Sequence, residues 1–216
     1  MTEATPKLPV SLAANPRLSS WIKFAPDGGV MLSPGKVEIG QGIVTALAQI
    51  AADELDVDLS RIKMVRASTA MSPNEGVTSG SLSIQQSGRA VRLACAEIRQ
   101  IFLAAASERL GVEASRLAVD DGTISGPGNV RTSYWELADE VSLDRDATPG
   151  AKPKPIAKRV LAGRSKQPPA GGRHAGHLEG SKECAPGEHR SHHTLKVRPA
   201  RRVGTAWLTS SPARYR

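Results

Sequence analysis

The chain has 216 residues, a formal charge of +8 and only 3% aromatic side chains, so it can bury one core, or one core with a tail. The charge is uneven: residues 1–150 carry 14 Lys/Arg against 18 Asp/Glu, while residues 151–216 carry 15 against 3 and hold all five histidines, His174, His177, His189, His192 and His193. Two cysteines, Cys95 and Cys184, exclude a disulfide framework, and no apolar run reaches the ~20 residues of a membrane-spanning helix.

Residues 1–19 show no period and read as an irregular N-terminal arm that lacks the basic and apolar regions of a signal peptide, which predicts a cytoplasmic setting. Trp21–Ala25 and Val30–Ser33 flank Pro26-Asp27-Gly28-Gly29 and predict a hairpin. Ile43, Leu47, Ile50, Ala51 and Leu55 recur at helical spacing, and Arg61–Arg66 reads as the strand that follows. Hairpin, helix and strand together make one α+β or split βαβ unit.

Residues 68–82 form a long loop, and loops of that length without internal structure are usually functional or disordered. The longest helical signal follows, with Val91, Ala94, Cys95, Ile98, Ile101, Phe102 and Ala105 on one face and Gly111 as its stop. Ser83 and Gln86 have capping-box spacing at its start. Cys95, on the apolar face, is expected to be a buried, inert thiol. A second hairpin is predicted at Leu117–Ser125 around Asp120-Asp121-Gly122, then a short capped helix at Thr132–Ala138. Beyond Leu143 the period fails, and a segment so poor in apolar side chains cannot offset the entropy of ordering.

Two loops carry chemistry. In Gly40-Gln41-Gly42 the glycines let backbone approach a ligand closely, and the Gln41 amide offers donors and acceptors together, as a pterin edge requires. The simpler alternative is a tight turn with a solvated glutamine. In Thr78-Ser79-Gly80-Ser81-Leu82-Ser83, hydroxyls and unpaired N–H groups gather at a helix N-terminus, a place suited to phosphate. The simpler alternative there is that the serines only cap the helix. Together the loops suggest two walls of one pocket.

The run Gly35–Leu55, through Lys36-Val37-Glu38-Ile39-Gly40-Gln41-Gly42, resembles the segment that opens the molybdopterin-binding part of the xanthine dehydrogenase and aldehyde oxidase family. The bacterial two-subunit relatives that hydroxylate isoquinoline and nicotinate are the most similar. Ser72-Pro73-Asn74-Glu75-Gly76-Val77-Thr78-Ser79-Gly80-Ser81-Leu82-Ser83-Ile84-Gln85 is similar to that family's next cofactor-contacting loop, and the likeness covers about residues 8–165. It implies that Gln41 hydrogen-bonds the pterin and that Gly80, Ser81 and Ser83 meet the pterin or its phosphate. The implied cofactor is molybdopterin carrying molybdenum, in a cytosine dinucleotide form, with an iron–sulfur small subunit as electron partner and a small N-heteroaromatic ring or aldehyde as substrate. The family's glutamate base, in a Gly-Val-Gly-Glu-like context, has no counterpart here. Glu38 and Glu75 fall on scaffold positions, so no catalytic residue and no protein ligand to a metal is assigned.

The expected fold is α+β: a small mixed sheet with two main helices at 20–142 as a partial molybdopterin-binding domain, a family-like linker at 143–165, and a disordered basic tail at 166–216. That tail lacks Cys/His zinc spacing and any aromatic platform for nucleic acid, and its composition suggests a GC-rich gene read out of frame. The expectation is a fragment of a molybdenum hydroxylase large subunit, inactive alone. The alternative is a non-catalytic copy, or a small domain that binds a ligand or another subunit.

Overall fold

A computed structural model of the chain describes residues 7–159. The basic tail, its histidines and Cys184 lie outside the described residues.

Strands β1 (Ile22–Phe24) and β2 (Val30–Leu32) pair antiparallel, with Phe24 opposite Val30. The turn between them is closed by Ala25 N–H to Gly29 O at 2.9 Å, with Gly28 at a φ of +81° that favours glycine. Helix α2 (Ile43–Leu55) then crosses to β3 (Ile62–Met64), which lies parallel to β2 and gives the order β1-β2-β3. An antiparallel pair extended by a parallel crossover is the mixed sheet expected of the α+β reading. The spacing of Ile43, Leu47, Ala51 and Leu55 puts all four in the core, because residues three and four apart share a helix face.

Helix α3 (Arg89–Leu110) is the longest element and stops at Gly111, whose φ of +64° allows the left-handed cap. Val91, Ala94, Cys95, Ile98 and Phe102 are buried, with Ile101 and Ala105 half-buried beside them. The capping box expected at Ser83 is not formed. Ser83–Gly88 instead make a π-helical turn running into α3, and no side chain caps its start. Gly88 lies inside this turn, where a Cβ would stand 3.2 Å from Ile50 Cδ1, so its missing side chain lets α2 come close.

A second sheet holds β4 (Ala118–Asp120), β5 (Thr123–Ser125) and β6 (Arg131–Ser133), all antiparallel. The helix expected from Thr132 is therefore shorter. Arg131–Ser133 pair as a strand, and helix α4 (Tyr134–Leu137) begins only after the Ser133 hydroxyl accepts the Glu136 N–H. Tyr134 and Phe102 meet edge to face, centroids 5.1 Å apart, and Phe24 packs 4.7 Å from Phe102. The Tyr134 hydroxyl donates to Leu55 O at 3.0 Å, satisfying a buried polar tip.

The ends of the described chain are better packed than their composition suggested. The arm contains helix α1 (Val10–Ala14), and Leu12 and Leu18 are wholly buried. Residues 143–154 dock on the helices through backbone donors: both Glu97 carboxylate oxygens accept Thr148 N–H, and Glu54 Oε1 accepts Lys154 N–H at 2.8 Å. Glu54 is wholly buried between Arg92 (3.1 Å) and Arg99 (3.3 Å). Buried carboxylates on α2 and α3 thus replace the apolar period this segment lacks. Among the described residues no helix is long and apolar enough to cross a membrane.

Candidate functional site

The first wall is the loop between β2 and α2. Glu38 Oε1 accepts the N–H groups of Gly40 (2.8 Å) and Gly42 (2.9 Å), and Oε2 accepts that of Val44 (3.2 Å). The carboxylate thereby satisfies two of the unpaired donors at the start of α2 and sits at the positive end of its dipole. The N–H groups of Gly42 and Val44 hold the Glu38 carboxyl below its ordinary value. Gly40 and Gly42, at φ +96° and +75°, let the loop wrap that carboxylate. Gln41 folds onto the same loop, its Oε1 accepting Ile39 N–H at 2.6 Å and its Nε2 donating to Val37 O at 2.9 Å. One N–H and one lone pair of this amide stay unused, in a fixed orientation.

The second wall is the loop into α3. Gly80 and Ser81 both have positive φ, +52° and +63°. For serine that is a strained conformation, of a kind found most often at ligand sites. Leu82 N–H bonds Ser79 O, and Gln85 N–H bonds Ser81 O. Among the described residues, the hydroxyls of Ser79, Ser81 and Ser83 and the amides of Gly80 and Ser81 meet no protein partner. The serines therefore do not serve as helix caps.

The two walls meet in one cleft of about 540 Å³. Gln41, Gly42, Thr78, Gly80, Ser81 and Ser83 line it, with Ile39, Ile43, Ala46 and Ile84 supplying apolar surface. Of the seven candidate residues, Gly40 alone stays out of the lining, its N–H turned to Glu38. The unpaired donors and the half-used amide fit an oxygen- and nitrogen-rich ring carrying a phosphate, and space beside Gly42 and Gly80 is open where a Cβ would stand. Because Glu38 occupies the start of α2, the free donors of the cleft lie at Gly80–Ser83.

Sequence reasoning left Lys36 and Ser87 unassigned and gave Glu75 only a scaffold position. Lys36 is 2% exposed, and its Nζ donates to Glu75 O and Val77 O, both at 2.8 Å. Glu75 Oε2 accepts Gly35 N–H (2.8 Å) and the Ser87 hydroxyl (2.9 Å). Glu38 had one legible signal, an acidic residue just ahead of a helix start. The contacts of Lys36 span 39 and 41 positions and those of Glu75 span 12 to 40, so neither leaves a local trace.

The family model for the molybdopterin cofactor-binding domain matches residues 4–163. A nicotinate dehydrogenase subunit of Pseudomonas putida is 34% identical over 165 residues, covering 74% of this chain and 14% of that protein. Xanthine dehydrogenase of Blastobotrys adeninivorans is 38% identical over 89 residues, covering 41% of this chain and 6% of that protein. Reconstituted CO dehydrogenase from Oligotropha carboxidovorans superposes with a TM-score of 0.49 at 29% identity, over 54% of this chain and 15% of that one. The chain thus spans about a seventh of the nicotinate dehydrogenase polypeptide it matches. With a family match over most of its length, the chain belongs to the molybdopterin-binding family of xanthine dehydrogenases and aldehyde oxidases.

Proposed function

We propose that the cleft between Gln41 and Gly80–Ser83 is one part of a molybdopterin site in a molybdenum hydroxylase large subunit. The observation that carries this reading is that six of the seven candidate residues line a single cleft. Gln41 would meet the pterin edge with its unused N–H and lone pair. The hydroxyls of Ser81 and Ser83 and the amides of Gly80 and Ser81 would hold the phosphate, with Thr78 and Gly42 shaping the approach. Bound there, the cofactor supplies the hydroxylation chemistry through its metal, while the protein binds and orients it.

The parent activity on this reading is hydroxylation of an N-heteroaromatic ring or an aldehyde, with water as oxygen source, in a cytoplasmic enzyme. The cofactor carries a cytosine nucleotide, and electrons leave through an iron–sulfur small subunit. No family glutamate base is present in this sequence, so the chain is a fragment that contributes binding surface and turns over little or no substrate alone.

The test is the molybdenum and pterin content of the full chain purified from a host that makes the cofactor. Pterin in the wild type, lowered about tenfold by Gln41→Ala, supports the reading; the lost hydrogen bonds to a polar ligand set that scale. A wild-type chain free of pterin sinks it and favours the non-catalytic alternative.

A further inference from the structure

We infer that Lys36 is a positioning residue for this cleft: its buried ammonium fixes the distance between the two walls. The inference rests on the proposed molybdopterin site and names the residue that holds it in shape.

Lys36 and Glu75 act reciprocally. The ammonium of Lys36 bonds the carbonyls of Glu75 and Val77, while the carboxylate of Glu75 bonds the amide of Gly35. Each charged side chain thus ties down the backbone on which the other sits. Val37, next in sequence, continues the lacing. Its N–H donates to Thr78 Oγ1 at 3.0 Å, and its carbonyl accepts the Gln41 amide at 2.9 Å. One residue of backbone therefore connects Gln41 on the first wall with Thr78 on the second, and Lys36 is its neighbour.

A lysine suits the task. Two carbonyls of the loop, at residues 75 and 77 on either side of Gly76 with its φ of +64°, turn to one donor group. An ammonium on a flexible stem can bond both at once. No apolar side chain can replace those donors, and without them residues 75–83 lose their register against 35–42. Glu75 Oε1, which has no partner, marks how little redundancy this junction holds.

The test compares wild type, Lys36→Met, Lys36→Arg and Lys154→Met in the full chain, reading pterin content by fluorescence and amide exchange over residues 75–83. Lys154 is the control: it is also a buried lysine, bonded to Asp53 O and paired with Asp56, but it stands away from the cleft. Lys36→Met is expected to lower pterin content at least tenfold and to speed exchange at 75–83. Lys154→Met should lose stability yet keep its pterin, and Lys36→Arg should recover part of the loss. Should Lys36→Met fail to accumulate, Glu75→Gln, which weakens the other half of the lacing, should lower pterin three- to fivefold. Wild-type pterin content in Lys36→Met, or in Glu75→Gln where it stands in, overturns the inference and leaves the proposed site standing. Equal loss in Lys36→Met and Lys154→Met reduces Lys36 to a general stabiliser and also overturns it. Absence of pterin from the wild type overturns both.

Discussion

Arg61 grips Asp121 through two parallel hydrogen bonds, Nε to Oδ1 and Nη2 to Oδ2, both 2.8 Å. The same guanidinium lies 4.6 Å over the Trp135 ring, and Asp121 Oδ1 also accepts Asp58 N–H at 2.8 Å. Asp121 sits at the tip of the second hairpin with a φ of +45°, as a two-residue Asp-Gly turn requires, so that turn is held where the end of α2, the start of β3 and the second sheet converge. Planar bidentate geometry makes this pair stronger than a point-charge contact.

The Arg61 hydrogen bonds are the main reason that the Asp121 carboxyl lies below its ordinary value. A carboxyl lowered on folding stabilises the protein above its unfolded pKa, and the contribution disappears as pH falls through the folded value. Asp121→Asn should therefore cost about 1 kcal/mol at pH 7, discounted for the pair's partial exposure. Urea midpoints for wild type and variant should converge as pH drops below the ordinary aspartate range, and a difference that persists at acid pH would contradict this account.

Glu54 has no exposed surface and holds Arg92, Arg99 and the Lys154 N–H. Removing one member of a buried charged network strands the others, at a cost of about 3–5 kcal/mol. Glu54→Gln should show that loss in chemical denaturation. It should also open residues 148–159 to proteolysis before the rest of the domain.

The Cys95 thiol is buried against α2, and desolvation pushes it far above the ordinary thiol range. Since the thiolate is the reactive form, Cys95 should resist alkylation in the folded protein and react only on unfolding. Mass spectrometry of the peptide spanning residue 95, before and after denaturant, measures this directly.

Phe102 joins Phe24 and Tyr134 at the centre of the aromatic cluster and is completely buried. Phe102→Ala should destabilise the fold by about 3–5 kcal/mol, the usual cost of emptying a large core site. Thermal unfolding checks it. A loss under about 1 kcal/mol would mean that the surrounding side chains collapse into the space.

Helices α2 and α3 were legible because their apolar residues repeat at the helical period over 13 and 22 residues. Helix α1 was not, since five residues are too few to show a period. Strand β6 was hidden because Arg131, Thr132 and Ser133 offer no apolar alternation and pair only through backbone. The docking of residues 143–154 depends on Glu54 and Glu97, which look like ordinary exposed positions until both helices are in place. For the cleft, glycines and hydroxyls at a helix start marked Gln41 and the serines as candidates, and the family resemblance supplied the roles proposed for them. Lys36 could not be marked in this way, because its partners are chosen by topology.

The π turn at Ser83–Gly88 has one further consequence. Such a turn accommodates one more residue than a regular helical turn of the same place would. It therefore sets the phase between what precedes α3 and what α3 buries. Each residue of a regular helix advances about 100° around the axis. Straightening 83–88 into a regular helix without removing a residue would leave the face of Val91, Ile98 and Phe102 in the core, yet would swing the serine loop about a quarter turn aside. The spare residue works as a rotational offset that aims the hydroxyls without touching the packing behind them.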